Sequence, residues 1–235
     1  MSKVLAHRGV TYEAADNSAA AFAGAVSLGI EGVELDVRAT ADGALICHHD
    51  AVVEGLGTFC ELELAALPAS VCTFAEAMAI LDGLYVNVEV KNDPREPGYD
   101  PTGKLTAAVV AAIVDGGWAE QVILSSFNPE VLEQVRSLGA RVPTGLLWEW
   151  GVDVSEGIAA ACELGASAIH PWVLDLSEAQ VVQAHAAGLG VNVWTANGPQ
   201  DIERMGIWGV DGVITDTPAE ARQILAKVPP EVTGS

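Results

Sequence analysis

Eight times along the chain a short apolar run is followed by an Ala-rich helical pattern, and this repetition limits the fold more than any other feature. The runs begin at Val4, Gly32, Tyr85, Val122, Thr144, Ser167, Val191 and Gly212, and each is four to six residues long. Short apolar runs bounded by turn residues are the pattern of strands buried on both faces, as in a parallel sheet. Between them the chain punctuates its helices. Pro129 stands where a helix begins and Gly139 where it ends, Ser177 caps a helix with Glu178 in its first turn, and Pro199 and Pro218 open two more. Eight successive βα units predict an α/β fold of the closed (β/α)8 TIM-barrel type. A single barrel is expected over residues 1–228, with PPEVTGS at 229–235 as a flexible tail.

The spacing breaks once. Roughly fifty residues separate the second run from the third, about twice the allowance for a loop and one helix. The extra length begins in VELDVRATADGALICHHD, Val33 to Asp50. Ala41-Asp42-Gly43 is a turn signal, so Val37 to His49 is expected to leave strand two as a hairpin-like excursion and return His49 to the barrel rim. The competing reading makes ALICHHD an ordinary ninth strand.

The same stretch carries the chemistry. Glu34 and Asp36 are two apart on a strand, which sends both side chains to one face. Like charges side by side in a poorly solvated place are costly unless something positive lies between them. Active sites of (β/α)8 barrels lie at the C-terminal ends of the strands. Here those ends hold His7-Arg8, Glu34 and Asp36, Glu89 and Lys91, Ser125-Ser126, His170, Trp194 and Thr215-Asp216. Glu34, Asp36 and Glu89 come from neighbouring strands and can face one point. Three oxygen ligands with no thiolate favour a hard divalent cation, Mg²⁺ or Ca²⁺. The alternative is a salt-bridge network with Arg8 and Lys91. His7 and His49 would flank this point, and histidine suits proton transfer near neutral pH. Arg8 and Lys91 offer fixed positive charge to an anionic substrate. Metal, two bases and a histidine pair fit displacement at phosphorus. His48, His170 and His185 are read as hydrogen-bonded rim or surface residues, and Cys47 as packing. The tryptophans at strand ends are read mainly as packing, with an aromatic wall for an alcohol moiety as the lesser alternative.

Composition narrows the partners. The net charge is −21, from 32 acidic against 11 basic residues, a surface that repels nucleic acid and anionic membrane. No apolar stretch reaches spanning length, MSKVLAHRG enters a strand without a secretory leader, and the four cysteines have no CxxC pairing. These features predict a cytoplasmic protein that acts on a small molecule, without stable membrane association. They leave the oligomeric state open, a homo-oligomer included.

The order HRG (His7–Gly9), DNS (Asp16–Ser18), ELDV (Glu34–Val37), HD (His49-Asp50), VEVK (Val88–Lys91), SSF (Ser125–Phe127), WTAN (Trp194–Asn197) and DGVITDTP (Asp211–Pro218) resembles the glycerophosphodiester phosphodiesterase family over nearly the whole chain. The resemblance implies a (β/α)8 barrel that hydrolyses glycerophosphodiesters to glycerol 3-phosphate and an alcohol with a divalent metal. It implies His7 and His49 as the acid–base pair and Glu34, Asp36 and Glu89 as metal ligands. Arg8 and Lys91 would contact phosphate, and Trp194 would wall the pocket. Two departures stand out. Asp16-Asn17-Ser18 replaces the usual Glu-Asn-Thr, and AVVEGLGTF follows His49-Asp50 where an Arg-Thr-Thr-like run is usual. Alternatives are lysophospholipase D or sphingomyelinase D chemistry on a lipid, or a silent barrel that binds a phosphodiester.

Overall fold

The computed structural model describes residues 2–229; of the expected tail, 230–235 lie outside the described residues. In chain order the elements are β1 (Lys3–His7), α1 (Ala19–Leu28), β2 (Gly32–Ala39), β3 (Leu45–Cys47), β4 (Val52–Val53) and β5 (Gly57–Thr58). They continue with α2 (Phe74–Ile80), β6 (Tyr85–Val90), α3 (Lys104–Asp115), β7 (Val122–Ser126), α4 (Pro129–Ser137), β8 (Thr144–Leu147) and α5 (Val154–Leu164). Then come β9 (Ala168–His170), α6 (Glu178–Ala186), β10 (Gly190–Val193), α7 (Pro199–Ile207), β11 (Gly212–Thr215) and α8 (Pro218–Leu225).

Eight parallel strands, β1, β2 and β6 to β11, pair in sequence order, and β1 bonds to both β2 and β11. The sheet therefore closes into a (β/α)8 barrel with the helices outside it. The strands are apolar along their length because both faces are covered: Val33, Leu35 and Val37 of β2 point to the helix layer and are fully buried. The helix caps are those the residue types predict. The Ser18 hydroxyl accepts from the Ala21 N–H, Thr73 and Glu76 form a reciprocal capping box, and Asn128 caps α4 just ahead of Pro129.

The irregular insertion folds as a flap. β2 runs past its parallel partners, and Val37–Ala39 pair antiparallel with Leu45–Cys47. A Thr40–Gly43 turn joins the arms, with Gly43 at φ 82°. β3 is thus a three-residue arm on top of β2 and no ninth member of the ring. At its end the His48 N–H donates to the Asp36 carbonyl at 3.1 Å. That bond returns the chain to the rim and places His49 above strand two.

Candidate active site

At the C-terminal mouth, a cavity of about 110 Å³ is lined by His7, Arg8, Glu34, His49, Asn87, Glu89, Lys91, Phe127 and Trp194, among others. Of the residues assigned a catalytic, phosphate-binding, metal-binding or wall role from the sequence, all line this cavity except Asp36, which is buried. Strand register explains the convergence. Glu34 stands opposite His7 on β1 and opposite Asn87 on β6, while Asp36 stands opposite Glu89. Oxygen atoms of Glu34, Asp36 and Glu89 all come within 4.8 Å of one another.

Glu34 and Asp36 are shifted in opposite directions. Burial first, and then the neighbouring Asp36, push Glu34 up to about 8. Burial would raise Asp36 too, but Lys91, Arg8 and His49 outweigh it and hold Asp36 below its ordinary value. One Asp36 oxygen accepts from the Asn17 amide at 2.8 Å and lies 3.2 Å from Arg8 Nε. The other, Oδ1, is buried without a hydrogen bond. A buried carboxylate oxygen that accepts no hydrogen bond, beside two more carboxylates, fits a hard divalent cation. The salt bridges foreseen as the alternative are present as well: Lys91 Nζ lies 2.8 Å from Glu89 and 3.7 Å from Asp36.

Both candidate catalytic histidines are tethered through Nδ1. His7 Nδ1 lies 2.7 Å from Asp216 Oδ1, and His49 Nδ1 lies 2.8 Å from Asp50 Oδ1. A carboxylate at Nδ1 places the proton there in the neutral ring and leaves Nε2 free toward the cavity. Burial alone would lower the His7 pKa. The bond to Asp216 and the charge of Glu34 overcome this and raise it. The backbone at this corner is tightly determined. Arg8 has φ 56° and Gly9 φ 89°, and a Cβ on Gly9 would lie 2.7 Å from the Ala21 carbonyl carbon. The turn directs the Arg8 guanidinium to Asp16 at 3.2 Å, so the shorter acid in DNS still reaches its partner.

Three placements were not foreseen. Arg38 is buried, and its Nε and Nη2 both donate to the His49 carbonyl, at 2.9 and 2.5 Å, while Nη2 also meets Glu96. It continues the period-two stripe of Glu34 and Asp36, which is the signal that would have found it. Asp216 was noted only as a strand-end residue, and its bond to His7 joins segments 209 residues apart. His170 is no rim residue. It is fully buried inside the barrel, its Nε2 lies 2.9 Å from the Asn192 amide, and burial lowers it to about 3. The fold makes room for it at Gly145, where a Cβ would fall 2.4 Å from the ring. His48 packs on Phe59, and His185 pairs with Asp211 on the outer surface. Trp194 walls the cavity, its ring edge-on to Phe127 and its Nε1 donating to the His170 carbonyl, whereas Trp150 is exposed. Cys47 is packed in the core.

The profile of the glycerophosphoryl diester phosphodiesterase family matches residues 7–220, from His7 through Asp216 of this site. The chain belongs to this family. Its members are phosphoric diester hydrolases, and this chain is one of them. It is 32% identical to a glycerophosphodiester phosphodiesterase of Caldanaerobacter subterraneus, over 95% of this chain and 98% of that one. A glycerophosphodiester phosphodiesterase structure from Parabacteroides distasonis shares the fold with a TM-score of 0.82 at 24% identity, covering 96% and 97% of the two chains. So does a phosphodiesterase from Oleispira antarctica in complex with its product sn-glycerol-3-phosphate, with a TM-score of 0.84 at 22% identity and coverage of 96% and 97%. Among the described residues, no helix is long and apolar enough to cross a membrane.

Proposed function

We propose that this member hydrolyses glycerophosphodiesters to glycerol 3-phosphate and an alcohol, aided by a divalent cation, Mg²⁺ or Ca²⁺, held by Glu34, Asp36 and Glu89. The observation that carries the reading is the convergence of those three carboxylates within 4.8 Å of one another, beside a cavity lined by two Nδ1-tethered histidines and two cationic side chains. When bound, the cation would neutralise charge that builds on the phosphoryl oxygens.

The protein's own groups do the rest. Arg8 and Lys91 hold the phosphate. Their ion pairs use only part of their donors, which leaves N–H groups for phosphoryl oxygens. One of His7 and His49 accepts at Nε2 the proton of the oxygen that attacks phosphorus, the other gives a proton from Nε2 to the alcohol oxygen whose P–O bond breaks, and one water is consumed to leave the monoester product. Asp216 and Asp50 keep each ring oriented and support its positive charge. Trp194 and Phe127 shield one side of the cavity from water.

The test is release of glycerol 3-phosphate from a panel of glycerophosphodiesters, with chelator and then with Mg²⁺ or Ca²⁺ restored. Release that stops with chelator and returns with metal supports the reading. Full activity in chelator removes the metal role. Full activity of His7→Ala or His49→Ala removes the histidine pair.

One observation favours a second reading on lysophospholipids. A cavity of about 300 Å³, with Ala39, Ala51, Phe59, Leu105 and Ala108 in its wall, shares Lys91 with the site and offers an apolar chain a place to lie. Lysophospholipids in the same panel decide between the two substrates.

A further inference from the structure

The geometry points to Asn87 as a fourth oxygen donor to the cation site, an inference that rests on the metal-dependent reading above. β2 and β6 run parallel with Glu34 opposite Asn87 and Asp36 opposite Glu89. Residues opposite each other on a parallel ladder, and residues two apart on one strand, share a face. The four side chains therefore stand at the corners of one rectangle on the barrel's inner face. Three corners are the clustered carboxylates, and the fourth is a carboxamide.

Asn87 is only 1% exposed, yet it lines the site cavity beside Glu34 and His7. Neither its Oδ1 nor its Nδ2 has a hydrogen-bond partner. A buried amide with nothing to bond is unfavourable, and Leu or Val would fill this position in a purely structural strand. Its ladder neighbour on the far side is Ile123, which offers it nothing polar. The partner Asn87 lacks is accordingly a ligand of the cavity. The carboxamide oxygen is a hard donor of the kind Mg²⁺ and Ca²⁺ accept. It is also neutral. It adds a donor where a fourth carboxylate would deepen the repulsion among three carboxylates whose oxygens already lie within 4.8 Å of one another.

The experiment compares wild type, Asn87→Leu and Asn87→Ala by calorimetric titration with Mg²⁺ and, separately, Ca²⁺, alongside the melting temperature of each protein in chelator. Leu matches the shape of Asn without its polar atoms. The inference expects Asn87→Leu to melt in chelator at or above the wild-type temperature and to bind the cation at least tenfold more weakly. Asn87→Ala should bind weakly as well. An Asn87→Leu protein that binds both cations with wild-type affinity, while Glu34→Gln and Asp36→Asn bind weakly, overturns the inference and leaves the metal site standing. Leu and Ala variants that both melt well below wild type in chelator make the amide structural and also overturn it. A wild-type protein that binds neither cation overturns the inference and the metal reading together.

Discussion

Asp216→Asn probes the longest-range contact in the site, since it removes one charge and keeps the shape. In the native protein Asp216 Oδ1 faces His7 Nδ1 at 2.7 Å, and Oδ2 accepts from the Asn197 amide at 2.6 Å. Two unit charges at that separation attract by about 1.5 kcal/mol in water and about 6 kcal/mol at an effective dielectric near 20. Asp216 is 45% exposed on its side chain, so the lower end applies, and about 2 kcal/mol agrees with the net worth of a hydrogen bond to a charged group. A loss of about 2 kcal/mol lowers the His7 pKa by about 1.5 units. The substituted amide has a second effect. Its oxygen stays on the Asn197 donor, so its NH₂ turns to His7 Nδ1, which must then accept. The ring's proton moves to Nε2, and neutral His7 can no longer act as a base toward the cavity. The assay is the pH profile of kcat/KM for both proteins, with saturating metal. One limb should move to lower pH by about 1.5 units, with kcat falling about 30-fold or more. A moving acid limb makes His7 the base; a moving alkaline limb makes it the acid. A variant with both limbs in place and less than a threefold loss of kcat would refute the account of Asp216.

Three further outcomes follow. Burial, and then Asp36, push Glu34 up to about 8 in the folded, metal-free protein against an ordinary value of 4.5, so the folded state binds the extra proton. Its contribution to stability is full below about pH 4.5 and is lost as pH rises through about 8. A cation replaces that proton, so the rise in melting temperature on adding metal should grow from pH 5 to pH 8 in wild type and stay flat in Glu34→Gln; an equal rise at pH 5 and pH 8 would contradict this. Arg38→Met should release the His49 carbonyl and lower kcat about 10- to 100-fold with little change in KM, because small misplacement of a proton-transfer group is costly; unchanged kcat would show that His49 needs no brace. Gly145→Ala puts a methyl 2.4 Å from the His170 ring and should destabilise the fold by about 1–3 kcal/mol in chemical denaturation, whereas wild-type stability would mean the ring moves freely.

Much of the architecture was legible along the chain because the signals are local. Strand and helix periods, the Pro129 and Pro218 starts, the Ser177 cap and the Gly43 turn all act within a few residues. The hairpin return of His49 was legible for the same reason. The parity of Glu34, Asp36, Glu89 and Lys91 was equally readable, since alternation along a strand needs no partner. The stripes ran further than was followed: Arg38 and Asn87 lie on them, two residues from Asp36 and Glu89.

Repetition and alternation in the sequence by itself determined an eight-unit barrel and a carboxylate pair aimed at its mouth, because backbone period decides which way neighbouring side chains point. Only the tertiary structure decided that His7 is held by Asp216, that His170 is buried within the barrel, and that Asn87 stands beside Glu34 with no bond of its own. Those facts depend on closure of β1 onto β11 and on the register between β2 and β6, which arise from packing the whole ring and leave no mark on any one segment.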